Sequence, residues 1–346
     1  MALFALNRSI RMVSKAESGV LMRASTKFQE AKVVRPHGRA LPEELDKRAK
    51  FYTVPISSNT GEVNLRVMLA TAASDHPRGS IIFCPGRTEF IEKYFETVVD
   101  LITRGFNVLV IDPRGQGLSD RLIEDPLKSY VRDFQDYADD MAAVTDIFTP
   151  LLPKPHILMG HSMGGCVALQ AVISGVSNPS AVVVSAPMLG LFDLGTPLMM
   201  LVIKAFSVMG MSKKDLPFQR GRQGLPVPFE GNKLTSDRAR YDSWAAYFQS
   251  TPEIRLGPPT YGWICAALRS MRFVNKNADK VKVPHMVVAA GGDPIVDPAS
   301  NRDFAAVSGG NFQIVKGAMH ELFLERDEYR DQFFAHFDNF MAENAL

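Results

Sequence analysis

The chain has only three cysteines in 346 residues, Cys84, Cys166 and Cys265, with no Cys-x-x-Cys pair. An odd, widely spaced set excludes a disulfide framework and offers no zinc-ligand spacing. It fits free buried thiols in a reducing compartment, which points to the cytoplasm. Charge of one sign is also lacking. Thirty-nine Lys and Arg stand against 37 Asp and Glu, a formal +2, so nothing points to nucleic acid. Internal repeats and low-complexity tracts are absent. What is present is a 46% hydrophobic composition, enough to bury a large core. The length suggests about two domains.

The basic excess is local. Residues 1–39 carry Arg8, Arg11, Lys15, Arg23, Lys27, Lys32, Arg35 and Arg39 against Glu17 and Glu30 alone. The segment holds no apolar run long enough for a signal-peptide core or a membrane span. Three readings stay open: a disordered arm, an amphipathic helix on anionic lipid, or an organelle transit peptide. Residues 1–50 are therefore set apart as a basic extension.

From about Phe51 the pattern is strand alternating with helix. Val63-Asn64-Leu65-Arg66-Val67-Met68-Leu69 follows the turn Asn59-Thr60-Gly61 and alternates like a strand. Ser80-Ile81-Ile82-Phe83-Cys84, Asn107-Val108-Leu109-Val110-Ile111, Ala181-Val182-Val183-Val184 and His285-Met286-Val287-Val288-Ala289 read as buried strands. Phe95, Val98, Val99 and Ile102 mark one helix, ended by Arg104-Gly105. Val131, Phe134, Tyr137, Met141, Val144 and Phe148 mark another. The expected fold is α/β, a mostly parallel sheet covered on both faces. The alternation breaks between Met188 and Met271. The expected division is a core of residues 51–187 and 272–346 with an inserted cap, 188–271. An apolar helix candidate runs from Leu198 to Phe206, and Asp193, Gly195, Pro197 and Lys204 argue against its spanning a membrane. The cap aromatics Trp244, Tyr247, Phe248, Tyr261 and Trp263 either bury the cap on the core or line a lid for an acyl chain or membrane surface.

The most informative segment is Gly160-His161-Ser162-Met163-Gly164-Gly165. The apolar run His156-Ile157-Leu158-Met159 precedes it and a helical segment from Cys166 follows. Strand, Gly-x-Ser-x-Gly, helix is the context of a nucleophile elbow, with Ser162 at its tip. A serine hydroxyl needs a histidine to take its proton and an acid to orient that histidine. Downstream, a strand leads through Gly291-Gly292 to Asp293, and Phe312-Gln313-Ile314-Val315 leads to His320. Both residues fall just past strand ends, where parallel sheets build their sites. Asp297 rivals Asp293, which is preferred because it directly follows the glycines. Among the other histidines, His37 and His76 lie in polar stretches. His156 and His285 start strands at the far edge, and His336 is in the last helix. His161 lies in the elbow with its ring expected to point elsewhere. The oxyanion donors are expected to be the backbone N–H groups of Met163 and Arg87. The Arg87 side chain either meets a phosphate or carboxylate or pairs with an acid such as Glu89.

Pro85-Gly86-Arg87-Thr88-Glu89-Phe90-Ile91-Glu92-Lys93-Tyr94, Asp112-Pro113-Arg114-Gly115-Gln116-Gly117-Leu118-Ser119-Asp120, the elbow, Gly292-Asp293 and His320-Glu321-Leu322 occur in that order. Together they resemble the bacterial lysophospholipase and monoacylglycerol lipase group of α/β-hydrolases, related to serine aminopeptidases. The resemblance implies Ser162, Asp293 and His320 as catalytic residues, Arg87 and Met163 as the oxyanion hole, and a cap. It implies no metal or organic cofactor and a lipid-ester substrate, a lysophospholipid or a monoacylglycerol. An esterase, peptidase or acyltransferase on the same fold is the alternative. An intact triad argues against a non-catalytic binding protein. Pro85-Gly86 stands where the family often has His-Gly, and Asp112 and Arg114 are read as loop supports.

Overall fold

The computed structural model of the protein describes residues 29–30, 41–58, 61–192, 197–216 and 223–346. Apart from Gln29–Glu30, the basic arm of residues 1–39 lies outside these, as do Asn59 and Thr60 of the first turn and Asp193 and Gly195 of the cap. A nine-stranded sheet organises the described residues. Its strands are β1 (Gln29–Glu30), β2 (Ala49–Ser58), β3 (Gly61–Ala70), β4 (Gly79–Cys84), β5 (Phe106–Ile111), β6 (His156–His161), β7 (Ala181–Ser185), β8 (His285–Ala290) and β9 (Asn311–Val315). The order across the sheet is β1-β2-β3-β5-β4-β6-β7-β8-β9. The pairs β1–β2, β2–β3 and β3–β5 are antiparallel, and every pair from β5 to β9 is parallel.

The central strands are apolar throughout because both of their faces are covered. Side chains alternate between the faces. Ile82 and Cys84 of β4, Leu158 of β6 and Val182 and Val184 of β7 enter one core. Ile81, Phe83, Ile157, Met159, Ala181 and Val183 enter the other. Helices α1 (Phe95–Thr103), α2 (Phe134–Phe148) and α3 (Met163–Ile173) follow β4, β5 and β6. Between β7 and β8 come α4 (Pro197–Phe206), α5 (Arg238–Ala245) and α6 (Tyr261–Lys276); α7 (Pro298–Ser308) and α8 (Asp327–Glu343) complete the chain. Helix α2 starts at Phe134 with Asp133 as its cap, accepting from the Gln135 N–H. Val131, expected on that helix, is buried just before it.

The segment between β7 and β8 contributes no sheet strand among the described residues. Trp244, Tyr247 and Phe248 pack with Phe90 into a separate apolar cluster that fastens this segment over the loop after β4. Helix α6 crosses the boundary expected at 271/272, and Trp263, Ala266, Ala267, Met271 and Val274 join the main core. The apolar helix expected near Leu198 is α4, which continues into a wider turn over Ser207–Met211. No described helix is long and apolar enough to cross a membrane. All three thiols are free and buried.

Several charges inside the fold are paired. The Arg114 Nε and Nη2 donate to the two carboxylate oxygens of Asp140 at 2.6 and 2.5 Å, with both side chains at most 4% exposed. This fork fixes the loop after β5 to α2. Arg114→Ala would leave the Asp140 charge buried without its partner, a loss of about 3–5 kcal/mol. Urea denaturation should show that loss, and an unchanged midpoint would contradict it.

Candidate active site

Ser162 sits at the turn from β6 to α3 with φ 51° and ψ −115°. A non-glycine residue with positive φ is strained by about 1–3 kcal/mol and persists only where its surroundings impose it. Here the Ser162 N–H donates to the Ser185 carbonyl, and the Ser162 carbonyl accepts from the N–H groups of Cys166 and Met188. The flanking glycines are sterically required. A Cβ on Gly164 would fall 1.9 Å from the Cys84 carbonyl oxygen, and one on Gly160 would fall 2.4 Å from that of Gly164. Strand β6 and helix α3 can cross at that distance only without side chains. The turn leaves the Ser162 side chain at the N-terminus of α3.

Strands β4, β6, β8 and β9 run the same way, so the loops at their C-terminal ends share one edge of the sheet. Cys84 and Gly160 are register partners, which sets the loop after β4 beside the elbow. At this edge His320 Nε2 lies 2.9 Å from Ser162 Oγ, and His320 Nδ1 lies 2.6 Å from Asp293 Oδ2. The other Asp293 oxygen accepts from the N–H groups of Ile295 and Val296 at 2.8 and 3.0 Å. An ionised Asp293 can only accept, so Nδ1 carries the imidazole proton and Nε2 is free to accept from the serine. Asp297 is elsewhere employed, capping α7 through the Ala299 N–H.

The backbone N–H groups of Met163 and Arg87 donate to no acceptor among the described residues. The loop carrying Arg87 is braced by Gln116, from the loop after β5. Its amide nitrogen donates to the Gly86 carbonyl and its amide oxygen accepts from the Thr88 N–H, each at 3.1 Å. One side chain thereby holds both flanks of Arg87.

Behind His320 lies a buried charge cluster. Lys93 donates to Glu89 at 3.0 Å and to Glu321 at 2.5 Å. Glu89 also accepts from the Gly86 N–H and the Tyr94 hydroxyl. Burial opposes its ionisation, but Lys93, His161 and these hydrogen bonds hold the carboxyl well below the usual carboxylate range. Glu321 receives only the lysine, and its second oxygen has no partner. Burial and the neighbouring Glu89 charge push it upward. One ammonium cannot balance two buried carboxylates, so Glu321 is the one that retains a proton more readily. Ligating atoms of Glu89, His161 and Glu321 lie within 4.8 Å of one another. Lys93 already supplies the positive charge a cation would bring to that set.

Residues 75–327 match the family described as serine aminopeptidase, S33. The chain belongs to this family. It is 30% identical to lysophospholipase L2 of Escherichia coli (strain K12) over 287 residues, covering 78% of this chain and 82% of that protein. It is 24% identical to a monoacylglycerol lipase of Mycolicibacterium smegmatis, covering 73% and 84% of the two chains. The fold matches a soluble variant of Saccharomyces cerevisiae monoglyceride lipase, solved with a substrate analog, at a TM-score of 0.67. That match covers 91% of this chain and 99% of the other at 17% identity.

For this S33 chain one of the two readings left open for Arg87 falls away, and the expectation for His161 is corrected. Arg87 does not pair with Glu89, whose oxygens are taken by Lys93, Tyr94 and Gly86. The His161 ring does not point away from the site. It packs on His320 with ring centroids 4.8 Å apart, and its Nδ1 donates to the Ser185 carbonyl at 3.2 Å. Gln116, Lys93 and Glu321 lay inside the quoted motifs without assigned roles. The Glu89–Lys93 spacing of four was the one readable sign of an ion pair.

Burial lowers the His161 pKa from 6.5 to about 3. Between those values the unfolded chain takes up a proton that the folded chain refuses. Stability should therefore rise with pH across that window and fall on acidification. Urea titrations at pH 5 and pH 7 should show a shallower pH dependence in His161→Phe than in the wild type, and equal slopes would contradict the assignment.

Proposed function

We propose that the protein is a serine hydrolase that cleaves carboxylic esters of single-chain lipids, lysophospholipids foremost, through an acyl-enzyme on Ser162. The observation that carries this reading is the hydrogen-bonded chain Ser162–His320–Asp293, accompanied by the unpartnered backbone N–H groups of Met163 and Arg87. Ser162 Oγ attacks the ester carbonyl as His320 Nε2 takes its proton. Asp293 stabilises the imidazolium that results. The N–H groups of Arg87 and Met163 receive the oxyanion, an interaction worth about two to three orders of magnitude per donor. His320 then protonates the leaving alcohol and activates the water that frees the acid.

The substrate class is supported by the chain's likeness to E. coli lysophospholipase L2 and by a cavity of about 290 Å³ lined by Met200, Ile203, Leu216, Trp263, Leu268 and Met271. No charged side chain lines it, as suits an acyl chain. We assign residues 188–271 the role of cap over the 51–187 and 272–346 core. Leu201, Val202, Val208 and Met209, on and just after α4, are exposed large apolar residues. Such a patch suits transient contact with a lipid surface. The likeness to a monoacylglycerol lipase supports the neutral lipid as the second reading.

Ser162→Ala should abolish fatty-acid release from lysophosphatidylcholine and monoacylglycerol, and Asp293→Asn should lower kcat by about 10⁴. Turnover persisting in Ser162→Ala would overturn the assignment. Leu201→Glu with Val208→Glu should lower hydrolysis of lipid in vesicles several-fold while a soluble short-chain ester is cleaved as before. Equal loss on both substrates would contradict surface contact.

A further inference from the structure

A second cavity, of about 580 Å³, opens beside the loop after β4, and unlike the first it has charged side chains among its mostly apolar lining. Arg87, Lys93 and Lys233 line it, and no Asp or Glu does. The Lys93 charge is already answered by Glu89 and Glu321. Arg87 is different. Its guanidinium meets no carboxylate among the described residues. Nη2 donates to the Gly257 carbonyl, the group lies 5.3 Å from the Trp263 ring centroid, and the buried Nε has no acceptor. Burial pulls its pKa down to about 10, which still leaves it a cation at neutral pH. Arg87 is half-buried, and holding a guanidinium there without a counter-charge has a cost that a ligand's anion would relieve.

Position identifies that anion. Arg87 lines the cationic cavity, and its guanidinium faces Trp263, which lines the apolar one. Pro259 lines both. The backbone N–H of the same residue is the proposed oxyanion donor. In a lysophospholipid only the glycerol backbone separates the scissile ester from the phosphate. A phosphate site must then lie about one side-chain length from the oxyanion hole. We propose that the Arg87 side chain, at the mouth of the cationic cavity, receives the substrate's phosphodiester while the acyl chain occupies the apolar cavity, so that this one residue selects lysophospholipids over monoacylglycerols. The proposal rests on the esterase reading above. A guanidinium fork suits phosphate oxygens better than the hydroxyls of a glycerol headgroup.

The test compares kcat/KM for lysophosphatidylcholine and for monoacylglycerol of the same acyl chain, in the wild type, Arg87→Met and Arg87→Lys. The quantity read is the ratio of the two, since disturbance of the Arg87 N–H lowers both together. The ratio should fall at least about tenfold in Arg87→Met, chiefly through KM, and recover in part in Arg87→Lys. In the wild type, glycerophosphocholine should inhibit cleavage of a soluble p-nitrophenyl ester competitively, whereas glycerol should not; this arm needs no variant to fold. An unchanged ratio in Arg87→Met, or no inhibition by glycerophosphocholine, overturns the phosphate site and leaves the esterase standing. Release of fatty acid from neither lipid by the wild type overturns both.

Discussion

The forced turn at Ser162 is the constraint on which the rest of the site depends. A serine held at φ 51° relaxes unless strand and helix are locked around it. The lock is the approach of Gly164 to the Cys84 carbonyl, closer than any side chain allows. That approach in turn requires β4 and β6 to end in register, Cys84 against Gly160. The same register carries the Arg87 loop alongside the serine. Ser162 and the proposed oxyanion donors are therefore placed by one steric contact, and the parallel order of β8 and β9 brings Asp293 and His320 to the same edge.

Electrostatics supplies the second layer. His320 is gripped from one side by Asp293 and backed on the other by a neutral His161, which in turn faces the Glu89–Lys93–Glu321 group. Low dielectric strengthens these contacts and makes each partner costly to remove. The cluster also fastens the protein's distant parts, because Lys93 and Glu321 are 228 positions apart. Against this background of paired charges, the guanidinium groups of Arg87 and Arg121 donate only to backbone carbonyls among the described residues, and that of Arg87 lines the cavity of about 580 Å³.

Much of this was legible in the sequence because it is local. Short continuous apolar runs mark the buried strands, and β4 and β7 alternate between the two cores as strands covered on both faces do. The serine declares itself through the glycines that its turn demands. Asp293 and His320 follow from chain order and from strands that end just before them. The contacts that tune the site were not legible. Gln116 bracing both sides of Arg87, and Lys93 shared between two glutamates, are pairings across the fold that no spacing encodes. His161 differs from expectation for a related reason. Its sequence position follows β6, but its ring direction depends on where β7 and the Ser185 carbonyl lie. Helix α6 likewise reads as cap from its composition, while most of its buried face belongs to the main core and Tyr261 and Cys265 pack with α4.

The central claim is that Ser162 is a nucleophile made reactive by this surrounding fold. Labelling the native protein with a fluorophosphonate and mapping the adduct by peptide mass spectrometry tests it directly. The account predicts one adduct, on the peptide containing Ser162, that disappears when the protein is unfolded before labelling or when His320 is replaced by alanine. No adduct on the native protein, or an adduct on another serine, would contradict it.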